Sequence, residues 1–412
     1  MRKAFLPFSP PLIGEAEIAE VADTLRSDWI TTGPKVKRFE SEFAQAVGAP
    51  SALAVSSCTA ALEVALAALK ISPGDSVITT AMTFCSTVHA IERSGATPVL
   101  VDIEPDTLNL DPARVRDTIG ELSRQSHSGR VRAIIPVHLY GHPCNMDAFF
   151  DIASAHDCAI IEDAAHALPA VYKGRTIGSM ADTAPVSTLT CFSFYATKNM
   201  TTAEGGMLTG ASELIDDARI WALHGMSRDA WKRYSSEGSW GYDVVCPGFK
   251  CNMTDRQAAL GLHQLQRLSA FHQRRSEIAR RYTEAFGVFD EFTTPVERSW
   301  AGHAWHLYVL RLNLHELATT RDQFITELQR RKIGTSVHFI PVHLLSYYRD
   351  KYRYSPDDFP TANREFQRIV SLPCYPRMSD EDVADVIQAV TEVVHANRRR
   401  KQVAVQASAA CT

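Results

Sequence analysis

Short apolar segments alternate with helical segments from about residue 15 onward, and this alternation constrains the fold more than any other feature of the chain. The helical segments include AEIAEVADTLRS, KRFESEFAQAVG, CTAALEVALAALK and MDAFFDIASAHD. The apolar segments have the length and β-branched composition of parallel strands buried on both faces: SALAVSS, SVITT, ATPVLVDI, VRAIIPVHL and AIIED. The pattern predicts a doubly wound α/β domain with a mostly parallel central sheet.

The C-terminal third of the chain has a different pattern. The segment CNMTDRQAALGLHQLQRL leads into a long helical run, after which HAWHLYVLRLNL predicts a strand and RDQFITELQRRK and DEDVADVIQAVTEVVHANR predict helices. We therefore expect a large α/β domain over residues 1–262, with an N-terminal arm over 1–14, and a smaller α+β domain over 263–398. Residues 399–412 are expected to form a flexible tail.

Composition and charge exclude several classes of protein. The chain has 43 basic and 47 acidic residues, a formal net charge of −4, which gives no electrostatic reason to expect nucleic acid or a membrane as a partner. It has neither an apolar run long enough to span a bilayer nor a secretory leader, so a cytoplasmic location is expected. The nine scattered cysteines form no CxxC pair and are interpreted as reduced thiols. His303 and His306 in GHAWH are interpreted as ordinary histidines beside a strand, and no metal site is expected.

The segment SSCTAALEVAL predicts a helix that begins directly after a strand. Its first residues, Ser57, Cys58 and Thr59, would present free backbone N–H groups at the positive end of the helix dipole, where a phosphate can bind. The alternative is simple N-capping by Ser57 or Thr59. The segment is neither a GxxxxGK nor a GxGxxG motif.

The segment AIIEDAAHALPA predicts a strand that ends in carboxylates. In open α/β sheets, ligands bind at the carboxyl ends of strands, where Asp163 could pair with the protonated ring nitrogen of a pyridine. His166 could reach the same ring or orient the carboxylate. The alternative for Asp163 is an N-cap of a following helix.

The segment TLTCFSFYATKNMTTAEGG carries a single lysine after a predicted strand. Burial would depress the pKa of Lys198 and favour the neutral amine, as a Schiff-base nucleophile requires. Ser193 lies close to Lys198 in sequence, and Gly205 and Gly206 would let the backbone pass close to a bound group. The alternative is a lysine in a surface loop.

Together, these three segments supply the groups that pyridoxal 5′-phosphate (PLP) requires. A helix N-terminus would anchor the phosphate, Asp163 would keep the ring nitrogen protonated, and Lys198 would form the Schiff base. An aromatic residue should stack on the ring, and Phe84 is well placed in sequence for this. A regulator or binding protein without enzyme activity would not need all of these groups.

Six motifs recur in order over nearly the whole chain: WITTGPKVKRFESEFA, VSSCTAAL, IIEDAAHA, SFYATKNMTTAEGGM, PGFKCNMTDRQAALGL and GTSVHFIPVHLLSYYRDKY. In this order they resemble the DegT/DnrJ/EryC1/StrS family of sugar aminotransferases. The resemblance implies a PLP-dependent enzyme of aspartate-aminotransferase fold type I and a homodimer with shared active sites. Within the family, FLPFSPP, WITTGP and EDAAHA look most like the aminotransferases that make UDP-4-amino-4-deoxy-L-arabinose.

The resemblance also implies the roles of residues around the cofactor ring. Lys198 would be the Schiff-base lysine, and Asp163 would pair with the pyridinium nitrogen. His166 and Phe84 would flank the ring, although Phe84 stands where relatives often have tryptophan. Lys198 also argues against the dehydratases of the family, which carry histidine at this position.

Further roles concern the phosphate and the second subunit. Ser193 and the backbone at Cys58 and Thr59 would hold the phosphate. The loop at 248–254 would reach into the partner's site, where Lys250 and Asn252 would contact the cofactor.

The expected reaction follows from the family. The amino donor would be an amino acid, L-glutamate by resemblance, which leaves as 2-oxoglutarate while the cofactor becomes pyridoxamine phosphate. The acceptor would be a UDP- or dTDP-linked ketosugar, with the keto group at C4 of a pentose or 6-deoxyhexose; a C3-ketosugar or a cyclitol is the alternative. Candidate substrate contacts are Thr31, Arg228, Arg233, Lys250, His338 and Tyr348.

Overall fold

The computed structural model describes residues 2–124, 129–179, 183–227 and 241–399. The helices of these ranges are α1 (Glu15–Arg26), α2 (Pro34–Val47), α3 (Cys58–Ala68), α4 (Cys85–Arg93), α5 (Pro112–Leu122), α6 (Met146–His156), α7 (Ser212–Ala222), α8 (Asp255–Phe286), α9 (Arg321–Arg330), α10 (Ser346–Tyr352), α11 (Pro360–Phe366) and α12 (Asp380–Asn397). The strands are β1 (Ser51–Val55), β2 (Asp75–Thr80), β3 (Thr97–Val101), β4 (Arg130–Ile135), β5 (Ala159–Asp163), β6 (Val171–Tyr172), β7 (Arg175–Thr176), β8 (Thr188–Ser193), β9 (Gly206–Gly210), β10 (Phe292–Thr293), β11 (Ala301–Gly302), β12 (Tyr308–Leu312) and β13 (Ile369–Leu372).

A seven-stranded sheet with the order β1-β9-β8-β5-β4-β2-β3 forms the centre of the large domain. Strands β3, β2, β4, β5 and β8 are parallel to one another, whereas β9 pairs antiparallel with both β8 and β1. The mostly parallel sheet predicted from the apolar segments is confirmed. Because β5 and β8 are parallel neighbours, their carboxyl ends bring Asp163 and the residues after Ser193 to the same edge.

Alternate residues of the central strands enter two separate cores, one on each face of the sheet. On β4, for example, Ile134 packs in one core and Ile135 in the other. Helices α2 and α6 contribute to the first core, and α3 and α7 contribute to the second. This two-sided burial explains why the strands are continuous apolar runs and do not alternate with polar residues.

The C-terminal part contains an antiparallel three-stranded sheet with the order β10-β12-β13, covered by helices α9 and α12. Its core also takes in Leu6 of the N-terminal arm, which is hydrogen-bonded along residues 332–334. The small α+β unit expected from the sequence therefore has a core of its own. No helix in the described part of the chain has the length and apolar character needed to cross a membrane.

Helix α8 connects the two parts. Leu262 in its first half packs in a core of the large domain, whereas Ile278 and Tyr282 in its second half pack in the C-terminal core. The boundary predicted between residues 262 and 263 lies inside this continuous helix. The two cores are thus joined by one rigid element and not by an exposed linker.

Asp255, at the start of α8, anchors the loop that precedes α2. Its buried carboxylate accepts hydrogen bonds from the backbone N–H groups of Gly33 (2.8 Å), Val36 (3.0 Å) and Lys35 (3.1 Å). Its own N–H donates to the carbonyl oxygen of Thr31. One carboxylate therefore satisfies the free N–H groups at the start of α2 and fixes the loop from residue 29 to residue 33.

We predict that Asp255→Ala destabilises the protein by about 2–4 kcal/mol, because buried N–H groups of α2 lose a charged acceptor. Thermal unfolding followed by circular dichroism measures the change. The control is Glu284→Ala, which removes an exposed pair with Arg280 and should cost under about 1 kcal/mol. Equal melting temperatures for the two variants would contradict the anchoring role.

Candidate active site

A cavity of about 500 Å³ opens at the carboxyl edge of the central sheet. It brings together eight of the residues that the sequence assigned to a cofactor, which come from four separate segments of the chain: Ser57, Cys58, Thr59, Phe84, Asp163, His166, Ser193 and Lys198. His338, predicted as a substrate contact, also lines the cavity. In the described part of the chain, no group of three or more His, Cys, Asp or Glu side chains could hold a metal ion.

Lys198 lies in the tight turn that follows β8. Its backbone N–H donates to the carbonyl oxygen of Tyr195 (2.9 Å), whose own N–H lies 3.5 Å from the hydroxyl of Ser193. Burial in the cavity lowers the pKa of Lys198 from 10.5 to about 8, although Cys58 and Asp163 nearby oppose the shift. Lys198 is therefore not an ordinary surface lysine, since a substantial fraction of its amine is neutral near pH 8.

Asp163, the last residue of β5, is 4% exposed. Its Oδ2 accepts a hydrogen bond from the Thr87 hydroxyl (2.8 Å), and its Oδ1 accepts one from the N–H of Ala165 (3.1 Å). Burial raises the pKa of this carboxyl, while Thr87 and Ala165 act in the opposite direction. No helix follows at residues 164–169, so the alternative of a helix N-cap is wrong.

Thr87 was not found by sequence reasoning. It lies in the first turn of α4 and contacts Thr83 at 2.9 Å through its hydroxyl. The pair of hydroxyls reaches Asp163 from an element that is far from it in sequence. The spacing of Thr87 and Asp163 in the sequence does not indicate this contact.

The start of helix α3 faces the cavity. The hydroxyl of Ser57 accepts a hydrogen bond from the N–H of Ala60 (3.1 Å), so its side chain is an N-cap as the alternative reading proposed. The N–H groups of Cys58 and Thr59, in the first turn, have no carbonyl partner within the helix. A Cβ added at Gly206 would lie 2.5 Å from the carbonyl carbon of Ser57, so β9 passes against this turn as only glycine allows. The first turn of α3 therefore offers free N–H groups to a phosphate group, which supports the assignment of Cys58 and Thr59 to the cofactor phosphate.

His166 lies on the same wall of the cavity as Phe339. The N–H of Tyr140 donates to Nδ1 of His166 (3.2 Å), and the imidazole stacks on Phe339 at 5.7 Å between ring centroids. Phe339 in turn lies 5.8 Å from Phe84, whose ring is exposed to the cavity. Burial lowers the pKa of His166 well below 6.5, so its ring is neutral at physiological pH.

Other residues of the cavity wall were missed or interpreted differently from sequence: Phe8, Ser9, Tyr195, Glu204, His306 and Phe339. Phe8 and Ser9 belong to the N-terminal arm, whose FLPFSPP motif was noted without a role. His306 does precede a strand, as expected, but it lies 4.4 Å from His166 between ring centroids and is not merely a core residue.

The structure corrects the prediction for Tyr348. This residue of α10 is 1% exposed, and its ring packs against His89 of α4 and against Tyr352, away from the cavity. Thr31 is exposed at the surface and does not line the cavity. Arg228 and Arg233, also predicted as substrate contacts, lie outside the described residues.

Lys250 and Asn252 lie outside the cavity wall formed by their own subunit. The Lys250 ammonium contacts the Asn252 carbonyl oxygen, and Asn252 Nδ2 donates to the hydroxyl of Thr32 (2.5 Å). The loop is thus ordered next to the loop before α2. Its proposed contact with a second subunit stays a prediction.

Comparison with known proteins finds the same family over nearly the whole chain. The model of the DegT/DnrJ/EryC1/StrS aminotransferase family matches residues 11–391. The spore coat polysaccharide biosynthesis protein SpsC of Bacillus subtilis is 51% identical over 395 residues, covering 95% of this chain and 98% of SpsC.

Solved structures agree over nearly the whole chain. The putative sugar aminotransferase Spr1654 of Streptococcus pneumoniae, in its PMP form, superimposes with a TM-score of 0.86 at 37% identity, covering 95% of this chain and 99% of Spr1654. Spr1654 has also been solved in a PLP form. DesV of S. venezuelae gives a TM-score of 0.80 at 33% identity, covering 94% of this chain and 98% of DesV. The fold type I architecture and the PLP dependence expected from the sequence are confirmed, and the chain belongs to the DegT/DnrJ/EryC1/StrS family of PLP-dependent sugar aminotransferases.

Proposed function

We propose that this enzyme transfers the amino group of L-glutamate to C4 of a UDP- or dTDP-linked 4-ketosugar, a pentose or a 6-deoxyhexose. The observation that carries the proposal is one cavity that holds Lys198 with a depressed pKa, the buried Asp163 carboxylate and the N-terminal turn of α3. The name of SpsC favours a product that enters a surface polysaccharide over one that enters a secondary metabolite.

The residues of the cavity have complementary tasks. PLP, when bound, supplies an aldehyde that carries the amino group and a ring that takes up electrons from the reacting carbon. The N–H groups of Cys58 and Thr59 and the hydroxyl of Ser193 would hold its phosphate. Asp163 would accept a hydrogen bond from the ring nitrogen and keep it protonated.

Lys198 would hold the cofactor and then act as the base. Because its pKa is about 8, the amine can be neutral near physiological pH and would move a proton between the substrate carbon and the cofactor carbon that share the transferred nitrogen. Positioned acid–base catalysis of this kind contributes roughly 10²–10⁴-fold to a rate. His166, neutral and fixed by Tyr140, would donate from Nε2 toward the ring without adding a positive charge beside Lys198.

The enzyme would function as a homodimer in which the loop with Lys250 and Asn252 completes the partner's site. Large apolar side chains are exposed close to that loop in a single chain: Trp29, Ile30, Val244, Val245 and Phe249. Apolar groups exposed together on a monomer are typical of a protein–protein interface. Sedimentation at micromolar concentration should give the mass of two chains, and the mass of one chain would contradict a stable dimer.

The direct test is a panel of UDP- and dTDP-linked ketosugars incubated with the PLP-loaded enzyme and L-glutamate. The products are identified by mass spectrometry, and 2-oxoglutarate is measured in parallel. An aminosugar formed from a 4-keto compound supports the proposal. Activity confined to 3-ketosugars or cyclitol ketones would contradict the C4 assignment.

We predict that Lys198→Ala lowers the turnover number by at least about 10³-fold, because the general base and the covalent anchor are lost together. The matched control is Lys173→Ala, a lysine that pairs with Asp147 on the surface and should leave turnover unchanged. If the Lys198 variant keeps more than a tenth of wild-type turnover, another residue must be the base.

We also predict the pH dependence of cofactor capture by the apoenzyme. Only a neutral amine attacks an aldehyde, so the rate of covalent capture should rise with pH and level off above the pKa of about 8 for Lys198. Stopped-flow absorbance after mixing apoenzyme with PLP measures the rate. A rate that still rises through pH 10 would show that the reacting lysine has an ordinary pKa.

Thr87→Val should weaken PLP binding roughly fivefold, because Asp163 loses one donor that favours its charged form. The side chain keeps its shape, but Asp163 and Thr83 each lose a partner, so the free energy of unfolding should fall by about 1–3 kcal/mol. Thr83→Val is the control and should weaken PLP binding less, since the Thr83 hydroxyl contacts Thr87 and not Asp163. Equilibrium titration with PLP measures both. The same loss of affinity in the two variants would exclude a specific role for Thr87.

A further inference from the structure

The neighbouring residue Asn199 determines which ring nitrogen of His306 carries the proton. The side-chain nitrogen of Asn199 donates to two carbonyl oxygens, those of Leu168 (2.7 Å) and Ala304 (2.8 Å), and this sets the orientation of the amide. The Asn199 oxygen therefore faces Nδ1 of His306 at 3.2 Å. Since that oxygen can only accept, Nδ1 of His306 carries the proton and Nε2 carries a lone pair.

His166 has the opposite arrangement. Its Nδ1 accepts the N–H of Tyr140, so the proton of the neutral ring lies on Nε2. The centroids of the two imidazole rings are 4.4 Å apart, and both rings line the cavity together with Lys198. One wall of the cavity therefore presents a hydrogen-bond donor and an acceptor side by side.

The backbone around His306 is held from two sides. Arg275 Nη1 donates to the carbonyl oxygens of Trp305 (3.3 Å) and His306 (3.1 Å). The N–H of Ala304 donates to the carbonyl oxygen of Gly141 (2.9 Å). These bonds, with the bond to Asn199, leave the imidazole little freedom to rotate.

Several features keep His306 neutral. The residue is 4% exposed, and this burial lowers its pKa well below 6.5. His166, Lys198 and Arg275 act in the same direction. The Nε2 lone pair thus remains an acceptor throughout the physiological range of pH.

We propose that His306 is a substrate-recognition residue whose Nε2 accepts a hydrogen bond from the hydroxyl group next to the keto carbon of the sugar. The inference rests on the proposed function of the same site. Among the residues that the structure describes, none makes a hydrogen bond to Nε2, although Nδ1 is paired. Lys198 must lie beside the reacting carbon, so a group on the same wall faces the atoms next to it.

The chemistry of the two substrates favours the sugar as the ligand. In a 4-ketopyranose the hydroxyl beside the keto carbon is at C3, because the ring oxygen is attached at C5. This hydroxyl can donate to Nε2 of His306. The amino donor instead brings carboxylates, which only accept hydrogen bonds at neutral pH, and its amino group is the one that reacts at the cofactor. A fixed lone pair therefore distinguishes the sugar half-reaction from the donor half-reaction.

The test uses two substitutions of His306 in the full-length, PLP-loaded enzyme. His306→Asn keeps an N–H that can reach Asn199 and loses the acceptor at the position of Nε2. His306→Gln places an amide oxygen near the position of Nε2. Single-turnover measurements follow the glutamate half-reaction and the ketosugar half-reaction separately.

The probes are dTDP-4-keto-6-deoxy-D-glucose or a UDP-4-ketopentose, whichever the wild type accepts, and the matching 3-deoxy analogue. We expect His306→Asn to reduce kcat/KM for the 3-hydroxy ketosugar on the order of tenfold, as the loss of one hydrogen bond allows. The effect on the 3-deoxy analogue and on glutamate should be less than twofold. His306→Gln should recover part of the loss.

The control is His303→Gln, which changes a buried histidine of the same segment that stacks on Trp305 and does not line the cavity. It should alter thermal stability without changing the ratio of the two half-reactions. PLP affinity, measured by titration, should be the same for wild type and His306→Asn.

Equal losses on both ketosugars, on both half-reactions or in PLP affinity would overturn the assignment of His306. A wild-type enzyme that reacts with no ketosugar would overturn the proposed function and the inference with it. The two failures are distinguishable, because the assignment of His306 can be overturned only with a wild-type enzyme that reacts with a ketosugar, whereas the proposed function is overturned when the wild type reacts with none.

Discussion

The burial of one amine and one carboxylate in the same cavity is the constraint on which the site depends. An ionised group removed from water is costly unless it is paired or its pKa shifts. Lys198 has its pKa lowered to about 8, and Asp163, which keeps donors at both oxygens, has its pKa raised. The sheet makes this possible because β5 and β8 end side by side, and the helices on both faces exclude water.

The turn at Tyr140 and Gly141 relates this cavity to the C-terminal part of the protein. The N–H of Tyr140 orients His166, while the carbonyl oxygens of Tyr140 and Gly141 accept from the N–H groups of Leu307 (3.2 Å) and Ala304 (2.9 Å). A Cβ on Gly141 would lie 3.0 Å from the His166 carbonyl oxygen, and its φ of +107° also favours glycine. One turn therefore positions both His166 and the segment that carries His306 in the cavity wall.

The central sheet, Lys198 and Asp163 could be predicted because each depends on a local pattern, an apolar strand that ends in a polar residue. His306 and Thr87 could not, since their roles depend on contacts with segments far away in sequence. Tyr348 belongs to a family motif, but its ring is directed into the core, which a motif does not reveal. The long helical run across residues 262 and 263 could also be predicted from the sequence, whereas its packing in both cores depends on tertiary contacts.

The most direct test of this account is to identify the lysine that carries the cofactor. The PLP-loaded enzyme is reduced with borohydride, digested and analysed by peptide mass spectrometry. The account predicts a pyridoxyl phosphate adduct on Lys198, at a stoichiometry close to one per chain. An adduct on Lys250 or another lysine, or no adduct after full loading, would contradict the central claim that the buried amine at the end of β8 is the reactive group.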